Sequence, residues 1–259
     1  SYSSIDTPNR HLHKDINGKS VSVIKETNKS QFEAYDWSYP KIIQFQSTDG
    51  TISLDGIVTY PPNFKKGSRY PVIVHGYGMP GTQIVYNRWG SVWNQYLAQQ
   101  GYIVFSMDAR GMSGRGEEFK NLSYGDMSKY LSKDTAAGVR YLVDIGVADP
   151  DRIGAWGWSG GGYFTGLMLT KNADLFDVGV SVAPVMDFRL YDTIYTERSM
   201  GLPNDNKAGY DSTSVLTYVD RFKGKLLVMH GTGDDNVHSQ NMTWLIEEFV
   251  KHDKQLDVF

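Results

Sequence analysis

Short continuous apolar runs alternate with helix-spaced apolar positions through most of the chain. Residues 70–76 (YPVIVHG) form a run of the kind that a strand buried on both faces needs. Trp89, Val92, Trp93, Tyr96 and Leu97 then recur at i, i+3, i+4, i+7 and i+8, which predicts a helix with one apolar face, and Gly101 supplies its stop. A strand is expected over residues 102–108, a glycine-rich loop after it (DARGMSGRGEEF), and a helix over about residues 132–145. The run RIGAWG at 152–157 reads as a strand leading directly into a helix on which Phe164, Leu167 and Met168 share a face. Two more buried-type strands, 178–184 and 225–231, flank an aromatic-rich insertion. Met242, Leu245, Ile246, Phe249 and Val250 mark the clearest helix, and the closing LDVF begins one more strand.

The first forty residues differ. Two short strands are expected around the Asn17-Gly18 turn, followed by a polar connection to Pro40, and strands turning at Asp49-Gly50 come next. Strand and helix then alternate over about 200 residues, which predicts a mostly parallel central sheet covered by helices on both faces.

Composition narrows the ligand more than the fold. The 259 residues are 40% hydrophobic, with a formal charge of −3 and no cationic run longer than Lys65-Lys66, so nucleic acid is not expected as a partner. The absence of cysteine removes disulfides, thiolate metal sites and cysteine nucleophiles together. No stretch reaches the roughly 18 consecutive apolar residues of a membrane helix. The opening SYSSIDTPNR has no signal-peptide pattern and does not read as a native start, so coding sequence is expected upstream.

The candidate chemistry centres on WGWSGGGY at 156–163, where Gly157, Ser159 and Gly161 fit G-x-S-x-G. With 27 glycines in the chain the pattern alone is weak, but a strand ends and a helix begins on either side of it. That is the context of a nucleophile elbow, a tight turn that lifts a serine hydroxyl above the sheet edge and leaves the Gly160 N–H at a helix N-terminus for an oxyanion. The bland reading is a glycine-rich strand-to-helix turn of structural use only. A serine nucleophile needs a base oriented by a carboxylate, in the chain order serine, acid, histidine. Asp234 and Asp235 lie in the loop after a later buried strand, where such groups converge; Asp235 reads better as a cap of the turn or the next helix. Of the six histidines, His11 and His13 lie in the N-terminal piece, and His75 and His230 end buried strands. His238 is only four residues from Asp234, and His252 ends the last helix. None occupies a loop after the final strand.

From about residue 41 onward the chain resembles the catalytic domain of the dipeptidyl peptidase IV branch of the prolyl oligopeptidase serine peptidases. WGWSGGG at the elbow, VAPVMDFRLYDTIYTERSMGLP at 182–203 and HGTGDDNVHSQN at 230–241 carry the resemblance. It implies an α/β-hydrolase fold and a serine exopeptidase that releases N-terminal dipeptides with proline or alanine penultimate, with no cofactor and no metal. It also implies roles: Ser159 as nucleophile, Asp234 as triad acid, the Tyr77 hydroxyl and the Gly160 N–H as oxyanion donors, and Asn236 as a holder of a substrate carbonyl. Val185, Phe188, Tyr191, Tyr195 and Val237 match the apolar pocket for a proline-like side chain; read singly, each could instead be core.

The departures set further expectations. Gly160 stands where the family often has an aromatic residue, which removes one pocket wall, and Phe188 stands where tryptophan is common. Residues 1 to about 40 read as the last strands and linker of an otherwise absent β-propeller, and residues 41–259 as a hydrolase domain without its C-terminal histidine loop and last helix. The family's histidine is then expected beyond residue 259, the chain as given is expected to be inactive, and the exposed apolar sheet surface is expected to make it unstable. The resemblance further implies peptide substrates, a homodimer, and an extracytoplasmic place such as a bacterial periplasm or cell envelope. An esterase of the same fold, and a non-catalytic peptide-binding module, stay open as rival readings.

Overall fold

The computed structural model describes every residue except Lys29 and Ala34. Among the described residues the chain forms two sheets. The smaller is antiparallel, built from β1 (Tyr2–Ser4), β2 (Thr7–Lys14) and β3 (Ser20–Glu26) in that order. Its second turn is the Asn17-Gly18 turn: Asp15 Oδ1 accepts the N–H groups of Asn17 and Lys19, and Gly18 takes φ +80°. β1 is an addition to the two strands that the pattern predicts, and so is a short helix, α1 (Ser30–Glu33), in the polar connection.

The larger sheet collects β4 (Lys41–Gln46), β5 (Ser53–Thr59), β6 (Tyr70–His75), β7 (Ile103–Met107), β8 (Ala148–Trp158), β9 (Val178–Val182), β10 (Lys225–Met229) and β11 (Asp257–Val258). Their order is β11-β10-β9-β8-β6-β7-β5-β4. Every pairing from β11 to β7 is parallel, and β5 runs antiparallel to both of its neighbours. The sheet is therefore mixed, with the expected parallel majority.

Helices α2 (Val92–Gln99), α3 (Glu117–Asn121), α4 (Leu131–Asp144), α5 (Gly160–Lys171), α6 (Thr193–Met200), α7 (Lys207–Thr213) and α8 (Gln240–Lys251) complete the chain. Strand alternation assigns two of them to opposite faces. Gly76, in line with the buried Val72 and Val74, lies against the Phe164 ring of α5, whereas Ile73 shares an apolar groove with Trp93 and Leu97 of α2. Helix α5 is buried all round because it runs between the sheet, α4 and the 3-10 helix Val215–Arg221. The face that Phe164, Leu167 and Met168 share is therefore one side of a helix that is buried on every side.

The helix expected from Trp89 starts later and turns differently. Ser91 caps it, its hydroxyl accepting the Asn94 N–H at 3.4 Å, and Trp89 instead stacks on Trp37 at 4.8 Å. The supposed buried face is turned outward, with Val92, Trp93 and Tyr96 67, 49 and 50% exposed, while Gln95 and Ala98 are buried. Gln95 is tolerated inside because its amide pairs with Ser38 as a backbone group would, accepting its N–H at 2.9 Å and donating to its carbonyl at 2.6 Å. The insertion between β9 and β10 carries α6 and α7, which lack an apolar period and rest on caps. Asp192 accepts the Tyr195 N–H at 2.8 Å, and Asn206 accepts the Gly209 N–H at 3.2 Å.

One buried ion pair joins three parts of the fold. The Arg110 guanidinium, 6% exposed in the loop after β7, bonds Asp134 of α4, 0% exposed, through Nη2–Oδ1 at 2.7 Å and Nε–Oδ2 at 3.0 Å. Its Nη1 reaches Asp49 of the β4–β5 turn at 2.7 Å, and its plane lies over Tyr130 at 4.1 Å. Removing Asp134 leaves the buried guanidinium with only the half-exposed Asp49 as ionic partner and its Nε and Nη2 groups without an acceptor. Asp134→Ala is expected to lower the urea-unfolding free energy by about 3–5 kcal/mol, and Arg110→Met with Asp134→Leu to recover at least half of that. A loss within about 1 kcal/mol for Asp134→Ala would contradict this role.

Candidate active site

Ser159 joins β8 to α5 at φ +58° and ψ −117°, a conformation that costs a non-glycine residue of order 1–3 kcal/mol. Neighbouring backbones hold it there. Its N–H donates to the Val182 carbonyl at 2.8 Å, and its carbonyl accepts the Tyr163 N–H at 3.0 Å. The turn is so tight that a Cβ on Gly157 would lie 2.5 Å from the Gly161 carbonyl oxygen, and one on Gly161 would lie 2.5 Å from that of Gly76. The glycines of the motif are thus required by backbone contact, and the turn leaves Ser159 at positive φ and partly exposed.

Gly160 opens α5, so its N–H has no acceptor within the helix. The Tyr77 ring lies directly over it, with Cε1 and Cζ 2.9 and 3.0 Å from where a Gly160 Cβ would be. The loop carrying Tyr77 is tied down by Asp108 at the end of β7, whose two carboxylate oxygens accept the Ile84 N–H at 2.7 Å and the Val85 N–H at 3.2 Å. Burial raises the Asp108 pKa to about 6, against the opposing pull of those two hydrogen bonds.

Asp234 follows β10. Its Oδ1 accepts the N–H groups of Asn236 at 3.0 Å and Val237 at 2.9 Å. The Val237 N–H above all, with that of Asn236 and the nearby His230, holds its carboxyl below the ordinary carboxylate range. The turn-capping role expected of Asp235 therefore belongs to Asp234, and among the described residues Asp235, exposed, makes no hydrogen bond. His230 Nε2 donates to the Val237 carbonyl at 2.7 Å, so it shapes this loop, as its place at a strand end predicts. Ser159 and Asp234 follow parallel strands separated by β9, about 10 Å apart by strand spacing.

Three of the five expected pocket residues are brought into ring contact. Phe188, Tyr191 and Tyr195 form a chain of edge-on rings with centroids 6.3 and 5.9 Å apart, and Tyr163 backs Phe188 from below at 5.0 Å. The Tyr191 hydroxyl donates to Asn236 Oδ1 at 3.2 Å, and the Tyr195 hydroxyl to the Pro80 carbonyl at 3.1 Å. Tyr191 is thereby joined to the Asp234 loop and Tyr195 to the Tyr77 loop. Val185, Phe188 and Val237 are buried, while Tyr191 and Tyr195 are partly exposed; burial raises the pKa of both tyrosines.

Three contributors escape a reading by motif role: Asp108, Tyr163 and Asn241. Asn241 is fully buried; its Oδ1 accepts the N–H groups of Met186 and Asp187 at 2.8 and 3.2 Å, and its Nδ2 donates to the His238 carbonyl at 3.1 Å. It thus fixes Val185 and Phe188 against the end of the acid loop. Its signal was present, since Asn241 lies in line with Leu245 and Phe249 on the buried face of α8, where a polar residue needs partners.

Among the described residues none of the six histidines hydrogen-bonds Ser159. His11 and His13 lie on β2, His75 stacks on Trp156 at 4.6 Å, and His230 serves Val237. His238 Nδ1 accepts the Gln240 N–H at 3.2 Å, and His252 caps α8, 3.8 Å from Glu248.

A mixed sheet flanked by helices, with a strained serine at a strand-to-helix turn, is an α/β fold consistent with the α/β-hydrolase superfamily. The family model of the prolyl oligopeptidase family matches residues 89–259. Prolyl endopeptidase FAP of Mus musculus is 32% identical over 243 residues, covering 92% of this chain and 32% of the relative. A probable dipeptidyl peptidase 4 of Aspergillus flavus is 34% identical over 255 residues, covering 95% and 33%. The crystal structure of Porphyromonas gingivalis dipeptidyl peptidase 4 superposes with a TM-score of 0.95 at 32% identity, covering all of this chain and 37% of that one. The chain belongs to the prolyl oligopeptidase family, as part of a catalytic domain of the dipeptidyl peptidase IV kind, and spans about a third of the length of the curated relatives it matches.

Two predictions follow from this geometry. Gly161→Ala is expected to destabilise the protein by about 1–3 kcal/mol in urea unfolding, and an unchanged unfolding free energy would contradict the backbone contact. Because the folded pKa of Asp108 lies above its unfolded value near 3.9, the folded state holds its proton more tightly, so its contribution to stability falls as pH rises from about 4 to about 6. In urea unfolding, the difference between wild type and Asp108→Asn is expected to move against wild type by about 2 kcal/mol between pH 4 and 7; parallel curves would contradict it.

Proposed function

We propose that this chain belongs to a serine exopeptidase that releases N-terminal dipeptides with proline or alanine penultimate. The observation that carries the reading is the junction of elements around Ser159: the Tyr77 ring over Gly160 on one side, and a tyrosine-lined pocket bonded to both flanking loops on the other. In this reading Ser159 Oγ attacks the carbonyl of the penultimate residue, whose small apolar side chain sits among Val185, Phe188, Tyr191, Tyr195 and Val237. The Tyr77 hydroxyl and the Gly160 N–H meet the developing oxyanion, and Asn236 holds a second substrate carbonyl. A histidine oriented by Asp234 takes the serine proton and returns it to the leaving amine.

That histidine is assigned to the part of such an enzyme not represented in residues 1–259, as is a β-propeller to which the small N-terminal sheet would belong. The reading uses neither metal nor cofactor. A homodimer and an extracytoplasmic place, in a bacterial periplasm or cell envelope, go with it; the solved relatives from Porphyromonas gingivalis and Bacteroides ovatus support a bacterial setting.

The full-length gene product is expected to cleave a glycyl-proline anilide, Ser159→Ala to abolish cleavage, and Tyr77→Phe to lower kcat by about 10²–10³ with KM little changed. Hydrolysis of a short-chain nitrophenyl ester with no cleavage of the anilide would replace the peptidase reading with an esterase. Residues 1–259 alone are expected to react with an active-serine phosphonate on the order of 10⁶-fold more slowly than the full-length product. Equal rates would mean that another group, such as His238, serves as base.

A further inference from the structure

The glycine after the nucleophile does not leave an open space. A Cβ at Gly160 would lie 2.5 Å from Met79 Cγ, as well as against the Tyr77 ring, so Met79 stands where a side chain at position 160 would project. Met79 is 3% exposed and packs within the main core. Its backbone is fixed on both sides: its carbonyl accepts the Thr82 N–H at 3.1 Å and the Thr82 hydroxyl at 2.5 Å, and the next carbonyl, of Pro80, receives the Tyr195 hydroxyl at 3.1 Å. The Met79 side chain thus lies against the turn that carries Ser159, and the segment that carries it is bonded to Tyr195, a tyrosine of the candidate pocket. Its position is set by two elements that both touch substrate in the proposed reaction.

We propose that Met79 is a specificity-determining residue, its thioether side chain supplying the wall that an aromatic residue at position 160 would otherwise form around the side chain next to the attacked carbonyl. The inference rests on the peptidase reading of the same site. Met79 and Gly160 act as a pair: a glycine at 160 makes room for the methionine, and the methionine fills the volume that the glycine vacates. An unbranched side chain with three rotatable bonds yields more readily than a ring, so this wall adapts to the occupant. The site is therefore expected to accept a ring somewhat larger than pyrrolidine.

Equilibrium binding tests this without requiring turnover. Two aminoacyl amides, a pyrrolidide and its seven-membered azepane counterpart, are titrated calorimetrically into the full-length enzyme and its variants. Met79→Ala is expected to shift the affinity ratio toward the azepane amide by about tenfold, and Met79→Leu, of similar volume, to leave the ratio unchanged. Met79→Val shifts it in the same direction by less, and carries the test if the alanine variant does not fold. An unchanged ratio in folded alanine or valine variants overturns the role of Met79 and leaves the peptidase reading standing. A wild-type enzyme that binds neither amide overturns both.

Discussion

The site depends on a backbone conformation that Ser159 would not adopt unaided. Its positive φ is held by an N–H bond to β9, by the first turn of α5, and by contacts that leave no room for a Cβ at Gly157 or Gly161. Strain of this kind persists where the surroundings over-determine it. Here the surroundings are the sheet edge itself, where Ser159 N–H meets Val182 and Ala183 N–H meets Met229 at 2.7 Å, so that the serine, the pocket segment and the acid loop leave neighbouring strands in one hydrogen-bonded register.

Around that edge, the two loops that approach Ser159 are each pinned by one carboxylate accepting two backbone N–H groups. Asp108 does this for the Tyr77 loop and Asp234 for its own. Their environments pull in opposite directions. Burial dominates at Asp108 and raises its pKa, whereas hydrogen bonding dominates at the partly exposed Asp234 and lowers it. The second is held ionised by its hydrogen bonds, while the first is a positioning group whose charge is costly. Asn241 completes the frame with a neutral amide, which carries no such cost.

Much of this was legible in the sequence where chemistry and periodicity agree. The buried strands, the elbow and α8 announce themselves through continuous apolar runs, glycine spacing and a clean i, i+3, i+4 repeat. Helix α2 was legible as a helix but not in its orientation, because apolar spacing reports which residues share a face and not what that face meets; the buried Gln95 is recognisable only once Ser38 is beside it. Helices α6 and α7 were hidden because caps and long-range tyrosine bonds hold them rather than an apolar stripe. The pocket residues were identified by resemblance, and their joining to both loops through the Tyr191 and Tyr195 hydroxyls is a property of the three-dimensional arrangement alone. The nearness of Met79 to Gly160 is likewise a property of the folded chain, since a one-dimensional comparison sees the missing side chain and not its spatial neighbour.

The central claim is that Ser159 is the nucleophile of a site built for a proline-like residue. It is tested most directly by treating the full-length protein with a glycyl-proline diaryl phosphonate and mapping the adduct by mass spectrometry. The account predicts one adduct per chain, on the peptide containing Ser159, suppressed by excess glycyl-pyrrolidide. An adduct on another residue, or labelling only by a simple alkyl phosphonate that glycyl-pyrrolidide does not suppress, would contradict it.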